Sequence, residues 1–257
     1  MVDQTMEKRP LIGIPMRIEL ETDRFYLSRH YSEAVEAAGG TPVHISLIPG
    51  VDYIDSVVDC LDGVLLPGSD SDVDPLRFGQ QPHPALGSVH PIKDETDLLI
   101  IAAAERRRLP LLAICFGMQV LNVSRGGTLI QDIASQIPMA IKHQQGVPRD
   151  RASHNVTIVQ DSRIGRLTTQ PDLLVNSHHH QAVEAMGENL SAVSRSSDGL
   201  IEAIEDTRSD RFIVAVQWHP ELGWRDDQFS QQLFKNFVNE AKKQLQEIKS
   251  TASSVPA

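Results

Sequence analysis

Short, unbroken apolar runs recur through the first half of this chain, each separated from the next by a longer amphipathic stretch. The runs are "LIGIP" (11–15), "TPVHISL" (41–47), "DGVLLPG" (62–68) and "LPLLAI" (109–114). Between them lie "FYLSRHYSEAVEAAGG", "VDYIDSVVDCL" and, at 94–108, "DETDLLIIAAAERRR", whose apolar residues recur at helical spacing. A strand that is apolar on both sides has to be covered on both sides. This rhythm therefore confines the chain to an α/β fold with a mostly parallel central sheet covered by helices. The Gly39-Gly40 pair stops the first helix, and Pro110 blocks extension of the helix ending near Arg108.

From about residue 154 the texture changes. "HNVTIV", "LLVNS", "LSAVSRS", "LIEAIED" and "RFIVAVQW" read as short strands separated by Gly, Asp, Ser and Pro, and they add antiparallel pairing in the C-terminal half. In "FSQQLFKNFVNEAKKQLQEI", residues Phe229, Leu233, Phe234, Phe237, Val238, Ala241, Leu245 and Ile248 form one apolar stripe, which predicts an amphipathic helix on the sheet. No repeat or low-complexity linker interrupts the pattern. A single domain over 1–249 is expected, followed by a disordered tail at 250–257, "STASSVPA".

Charge and cysteine usage exclude several roles. With 24 Lys+Arg against 34 Asp+Glu, the formal charge is −10, and such a field repels nucleic acid and acidic membranes. No apolar run approaches the roughly 18 residues of a membrane span. The start "MVDQTMEKRP" lacks the apolar centre of a secretory signal, and only Cys60 and Cys115 occur, so a cytoplasmic location is expected. The expected partner is a small molecule, with self-association into a homo-oligomer left open.

Free cysteine is among the most buried residue types, so each cysteine has to be weighed against a core role. Cys60 falls on a helical stripe with Ile54, Val57 and Leu61 and is read as core. Cys115 has a different setting. It stands where a buried strand ends and "FGMQVLNVSRGG" can begin a helix, with Gly117 two residues on. A sharp strand-to-helix turn projects its apex into the crevice beyond the strand ends, where helix-terminal amides favour a thiolate and the Phe116 amide could serve an oxyanion. A nucleophilic cysteine needs a base and a group to orient it. "AVQWHPEL" (215–222) offers His219 and Glu221, two residues apart on one side of an extended backbone that Pro220 stiffens. The bland alternative is a surface histidine and a solvated glutamate.

The ordered motifs "ICFGMQVLN", "GGTLIQD", "VNSHHHQAV" and "VQWHPE" resemble those of the class I, triad-type glutamine amidotransferases. Within that family the chain is most similar to the γ-glutamyl-γ-aminobutyrate hydrolases of putrescine breakdown, over nearly its whole length. The resemblance implies a flavodoxin-like fold and a cofactor-free hydrolysis of a γ-glutamyl amide. Cys115 would be the nucleophile, His219 the proton carrier and Glu221 its orienting acid. It likewise implies an oxyanion hole from the amides of Phe116 and Gly68, and contacts to the glutamyl end from Gln119, Ser177 and His179. A glutaminase subunit feeding a separate synthetase, and a non-catalytic glutamyl-binding protein, are the alternatives.

Three features bear on specificity. In "NSHHHQ" alternate residues share a face, so His178 and His180 point together and His179 away, and no nearby Cys or carboxylate completes a metal site; none is expected. Relatives often carry a basic residue directly after the cysteine, where this chain has Phe116, a change that bears on the leaving amine. The segment "GSDSDVDPLRFGQQPHPALGSVHPIKDE" lacks apolar periodicity and is expected to form a loop over the site, with Arg77 or Lys93 as candidates to meet a leaving-group carboxylate.

Overall fold

The structure is a computed structural model that describes residues 8–253, with side chains described up to residue 246. The first half runs β1 (Leu11–Pro15), β2 (Arg17–Glu19), β3 (Arg24–Tyr26), α1 (Arg29–Ala37), β4 (Thr41–Ile45), α2 (Val51–Val58), β5 (Gly63–Leu66), α3 (Pro91–Arg106), β6 (Leu111–Ile114) and α4 (Phe116–Ser124). The second half follows with β7 (Leu129–Ile130), α5 (Ile133–Gln136), β8 (His154–Ile158), β9 (Asp172–Val175), β10 (Ala182–Val183), β11 (Leu190–Ser196), β12 (Ile201–Asp206), β13 (Ile213–Val216), α6 (Pro220–Gly223) and α7 (Gln228–Ser253).

The main sheet has the order β4-β1-β5-β6-β13-β12-β11-β8-β9. Its first five strands are parallel, and the flavodoxin-like order places β1 between β4 and β5. From β13 onward the pairs β13–β12, β12–β11, β11–β8 and β8–β9 are antiparallel, as the change in texture after residue 154 predicts. Period-two alternation splits the central strands between two cores. Val64, Leu66, Leu111, Ala113, Ile213 and Ala215 face α2, α3 and α4. Leu65, Leu112, Ile114, Val214 and Val216 face α1 and α7, where Leu233, Phe234 and Phe237 of the expected stripe are buried. Among the described residues, no helix is long and apolar enough to cross a membrane.

Four expectations need correction. The segment beginning at Phe25 is not helical from its start: Phe25 and Tyr26 belong to a β2–β3 hairpin, turned at Asp23 with φ 52°, and the helix begins at Arg29. Cys60 is exposed, because α2 ends at Val58. Past that end the helical stripe no longer applies, and the following turn sends Leu61 inward and Cys60 outward. The helix expected at 94–108 starts at Pro91, a residue suited to the first helical turn, and ends at Arg106. Finally, α7 continues through Ser253, inside the stretch expected as a disordered tail; residues 254–257 and the Ile248 side chain lie outside what is described.

Candidate active site

Strands β5, β6 and β13 lie side by side in matched register, Leu66 beside Ala113 and Ile114 beside Val216. Their carboxyl ends therefore release Gly68, Cys115 and His219 into one region. Cys115 is the only residue between β6 and α4, and it adopts φ 53° and ψ −108°, a strained conformation for a side-chain-bearing residue. Its amide donates to Val216 O at 2.8 Å, and its carbonyl accepts the first turn of α4 from Gln119 N at 3.1 Å. Such a tight turn brings α4 close to β5. A Cβ on Gly117 would lie 2.4 Å from Leu66 O, so only glycine fits there. Phe116 is the first residue of α4, and the amides of that first turn have no acceptor within the helix.

His219 leaves β13 as the residue capping α6, and its Nδ1 lies 2.7 Å from Glu221 Oε1. The pair meets across the start of a helical turn, not along the extended backbone expected from the sequence. Asn176 clamps the histidine backbone, accepting from His219 N and donating to His219 O, both at 2.8 Å. Burial opposes charging of the imidazole, but the negative charges of Glu221 and of a Cys115 thiolate, with hydrogen bonds to both, push its pKa up to about 10. Burial likewise opposes ionisation of Glu221, and the neighbouring His219 cation overcomes it, so the carboxyl sits below its usual range. Cys115, His219 and Glu221 are brought together as expected.

Gly68 arrives beside them but in a different role. Its amide donates to the Tyr31 hydroxyl at 3.0 Å and its carbonyl accepts from the buried Arg17 guanidinium, so this peptide is committed inward rather than to an oxyanion. Tyr31 is fully buried; that burial, and then the Glu221 charge, hold its pKa well above the ordinary value, keeping it a neutral phenol. The next residue, Ser69, is the one that borders the cleft with Cys115.

The cleft has a volume of about 430 Å³. One wall is Ser69 to Asp72 with Gly87, and the floor is Cys115, Phe116 and Gln119. The opposite wall carries Gln144, Arg149 and the segment His178 to Gln181. Gln119 occupies its expected place, with its Nε2 anchored on Gln181 O at 3.1 Å and Gln217 Oε1 at 3.3 Å, leaving the side-chain oxygen for a ligand. Ser177 does not reach the cleft. It is fully buried, its hydroxyl donating to His143 O at 2.6 Å and its amide to Gln145 Oε1 at 2.7 Å. His179 borders the cleft with both ring nitrogens turned into the protein, toward Gln181 O and His143, so it offers no donor to a substrate carboxylate. His178 and His180 do face the other way, His178 toward Arg149 O and His180 between Asp72 and Asp132.

The expected loop supplies the Ser69–Asp72 wall but is itself pinned, Gly87 N donating to Asp72 at 2.6 Å and His83 N to Gln131 at 2.8 Å. Neither of its basic candidates faces the cleft. Arg77 pairs with Glu95 at 2.7 Å, and Lys93 is buried against Asp97 with its ammonium 5.1 Å from the centre of the Phe116 ring. The cation that does border the cleft is Arg149, from a "GVPRDR" loop that carries no helical or strand pattern to distinguish it. Arg17, Tyr31 and Asn176 were equally hidden, since each acts on a residue far away in sequence.

Comparison with known proteins agrees with this geometry. The Peptidase C26 family pattern matches residues 10–221. The chain is 38% identical over 200 residues to YvdE of Lactococcus lactis, a protein named as glutamine amidotransferase-like, covering 76% of this chain and 82% of that one. It is 31% identical over 247 residues to the γ-glutamyl-γ-aminobutyrate hydrolase PuuD of Escherichia coli, covering 91% and 94%. In fold it matches a protein from Thermoplasma acidophilum that is named as part of a GMP synthase, with a TM-score of 0.65 at 14% identity over 95% of this chain and 98% of that one. With its sharp strand-to-helix turn at Cys115, its buried histidine–glutamate pair and this pattern over most of its length, the chain belongs to the Peptidase C26 family of class I glutamine amidotransferase-like hydrolases.

Proposed function

We propose that the chain hydrolyses a γ-glutamyl amide to glutamate and a free amine, with γ-glutamyl-γ-aminobutyrate as the first substrate to test. The observation that carries this reading is Cys115, which lines a cleft beside Gln119 and is hydrogen-bonded to the buried His219–Glu221 pair behind it. Cys115 sulfur adds to the γ-carbonyl carbon, and the developing oxyanion meets the Phe116 amide at the start of α4. The imidazolium of His219 protonates the departing nitrogen as the C–N bond breaks, leaving a γ-glutamyl thioester. His219, now neutral, takes a proton from water as the water oxygen attacks the thioester, and returns a proton to the sulfur as glutamate leaves. Glu221 holds Nδ1 and stabilises the charged ring throughout. We assign Arg149, which borders the cleft, to the carboxylate of an aminobutyrate leaving group, and a role in putrescine catabolism is part of this proposal. Two unpaired cysteines suit a reducing, cytoplasmic setting.

The test is glutamate release from a panel of γ-glutamyl-aminobutyrate, other γ-glutamyl amines, glutamine and a folyl polyglutamate, with Cys115→Ala as the control. Turnover of the aminobutyrate amide, lost in Cys115→Ala, supports the proposal. Turnover surviving in Cys115→Ala would sink the mechanism, and activity on glutamine only with an added synthetase would replace the substrate.

A further inference from the structure

Behind the cleft wall, four side chains remote in sequence converge in a buried knot. They are His143 from the loop before β8, His154 at the start of β8, His179 from the segment after β9, and Glu202 in β12. Glu202 Oε1 lies 3.2 Å from His154 Nε2, 3.3 Å from His143 Nδ1 and 3.6 Å from His179 Nε2. His143 Nδ1 and His179 Nε2 are 3.2 Å apart.

Two donor atoms on one ion at about 2.0–2.1 Å stand roughly 3.3–3.4 Å apart when set tetrahedrally, and Glu202 Oε1 keeps such separations from His154 Nε2 and His143 Nδ1. Ligand atoms of His143, His154 and Glu202 all lie within 4.8 Å of one another.

The outer hydrogen bond turns His143 the same way. His143 Nε2 faces Asp198, which leaves Nδ1 toward Glu202, and a carboxylate is the kind of outer partner that orients a metal-bound imidazole. Glu202 Oε2 is buried with no partner, and the charges of Glu202 and Asp198 match those of a dication.

We propose that His143, His154 and Glu202 bind one Zn²⁺ ion, with His179 packed beside them. Two imidazoles and one carboxylate suit zinc, whereas Ca²⁺ and Mg²⁺ favour oxygen donors. All three residues are buried, so the role of the ion is structural. His143 begins the loop that presents Gln144 and Arg149, so the ion ties one wall of the cleft to β8 and β12. This inference stands on its own geometry and is independent of the proposed substrate.

The test uses the full chain with any affinity tag removed. Metal analysis after dialysis is expected to find about one equivalent of zinc. Co²⁺ added to chelator-treated protein is expected to give the intense visible bands of four-coordinate cobalt, and Zn²⁺ to abolish them. His154→Ala and Glu202→Gln are expected to lose the metal; should either fail to fold, the wild-type measurements decide alone. There, chelation is expected to lower the melting temperature and Zn²⁺ to restore it. A folded wild-type protein that carries no metal, gives no cobalt bands and melts unchanged with chelator would overturn the proposal, and would assign the cation to a doubly protonated His143.

Discussion

Replacing Glu221 with Gln tests the electrostatic design of the site with little change of shape. In the native protein the His219 pKa rises from an ordinary 6.5 to about 10, a preference for the charged ring of about 5 kcal/mol at roughly 1.4 kcal/mol per pH unit. Burial works against that charge, and the Glu221 carboxylate at 2.7 Å is the first force opposing burial. With a neutral amide in its place, Cys115 alone opposes burial, so the ring's pKa should fall below its native value. At pH 7.5 the native imidazole is almost wholly charged, and a smaller fraction of the variant's would be. Loss of the correct tautomer adds to this, and comparable acid-to-amide changes in nucleophile–histidine–acid sites cost about 10⁴-fold. The expected result is a fall of about 10³- to 10⁴-fold in kcat/KM, carried by kcat, in a continuous glutamate-release assay. In the native protein the sign is fixed by the raised pKa: the His219 imidazolium, the leaving-group acid of the proposed mechanism, persists through neutral pH and is lost as pH rises through about 10. Activity and the His219 NMR signal should titrate together there. A variant retaining more than about a tenth of native kcat/KM, alongside a native His219 titrating near 6.5, would refute the reasoning.

Other changes probe the scaffold beneath this chemistry. Asn176→Leu removes both clamps on the His219 backbone and strands a buried N–H and C=O; a loss of about 1–3 kcal/mol is expected in urea unfolding, with kcat falling more than KM changes. Gly117→Ala drives a methyl to 2.4 Å from Leu66 O and 2.8 Å from Leu66 Cβ, so overpacking should cost about 1–3 kcal/mol or more and displace the elbow, read by slower Cys115 alkylation. Lys93→Met leaves Asp97 charged and alone in the core beneath Phe116, for an expected loss of about 3–5 kcal/mol; the double variant Lys93→Met with Asp97→Leu should recover most of it.

Much of the fold was legible because burial writes itself into local pattern. A strand covered on both faces must be apolar throughout, and "GVLL", "LLAI" and "IVAV" are. Cys115, His219, Glu221 and Gln119 were legible for a related reason: each stands at a fixed offset from a strand end, and the parallel sheet aligns those ends. Cys60 misled because helical periodicity holds only as far as the helix does. Ser177 and His179 misled because a residue's place in a motif does not say which way its donors turn once His143 and Gln145 come into contact with it.

The sequence by itself determined the strand–helix rhythm, the strained turn at Cys115 and the residue types able to perform acyl transfer. Tertiary structure alone decided what those residues meet. It turned the Gly68 amide onto Tyr31, buried Lys93 against Asp97, brought Arg149 to the cleft and gathered three histidines around Glu202. The physical reason is range. Backbone conformation and apolar periodicity are set by neighbours a few residues apart, whereas partners for buried polar groups are chosen across the sheet, where hydrogen bonds and charges from distant segments must be satisfied together.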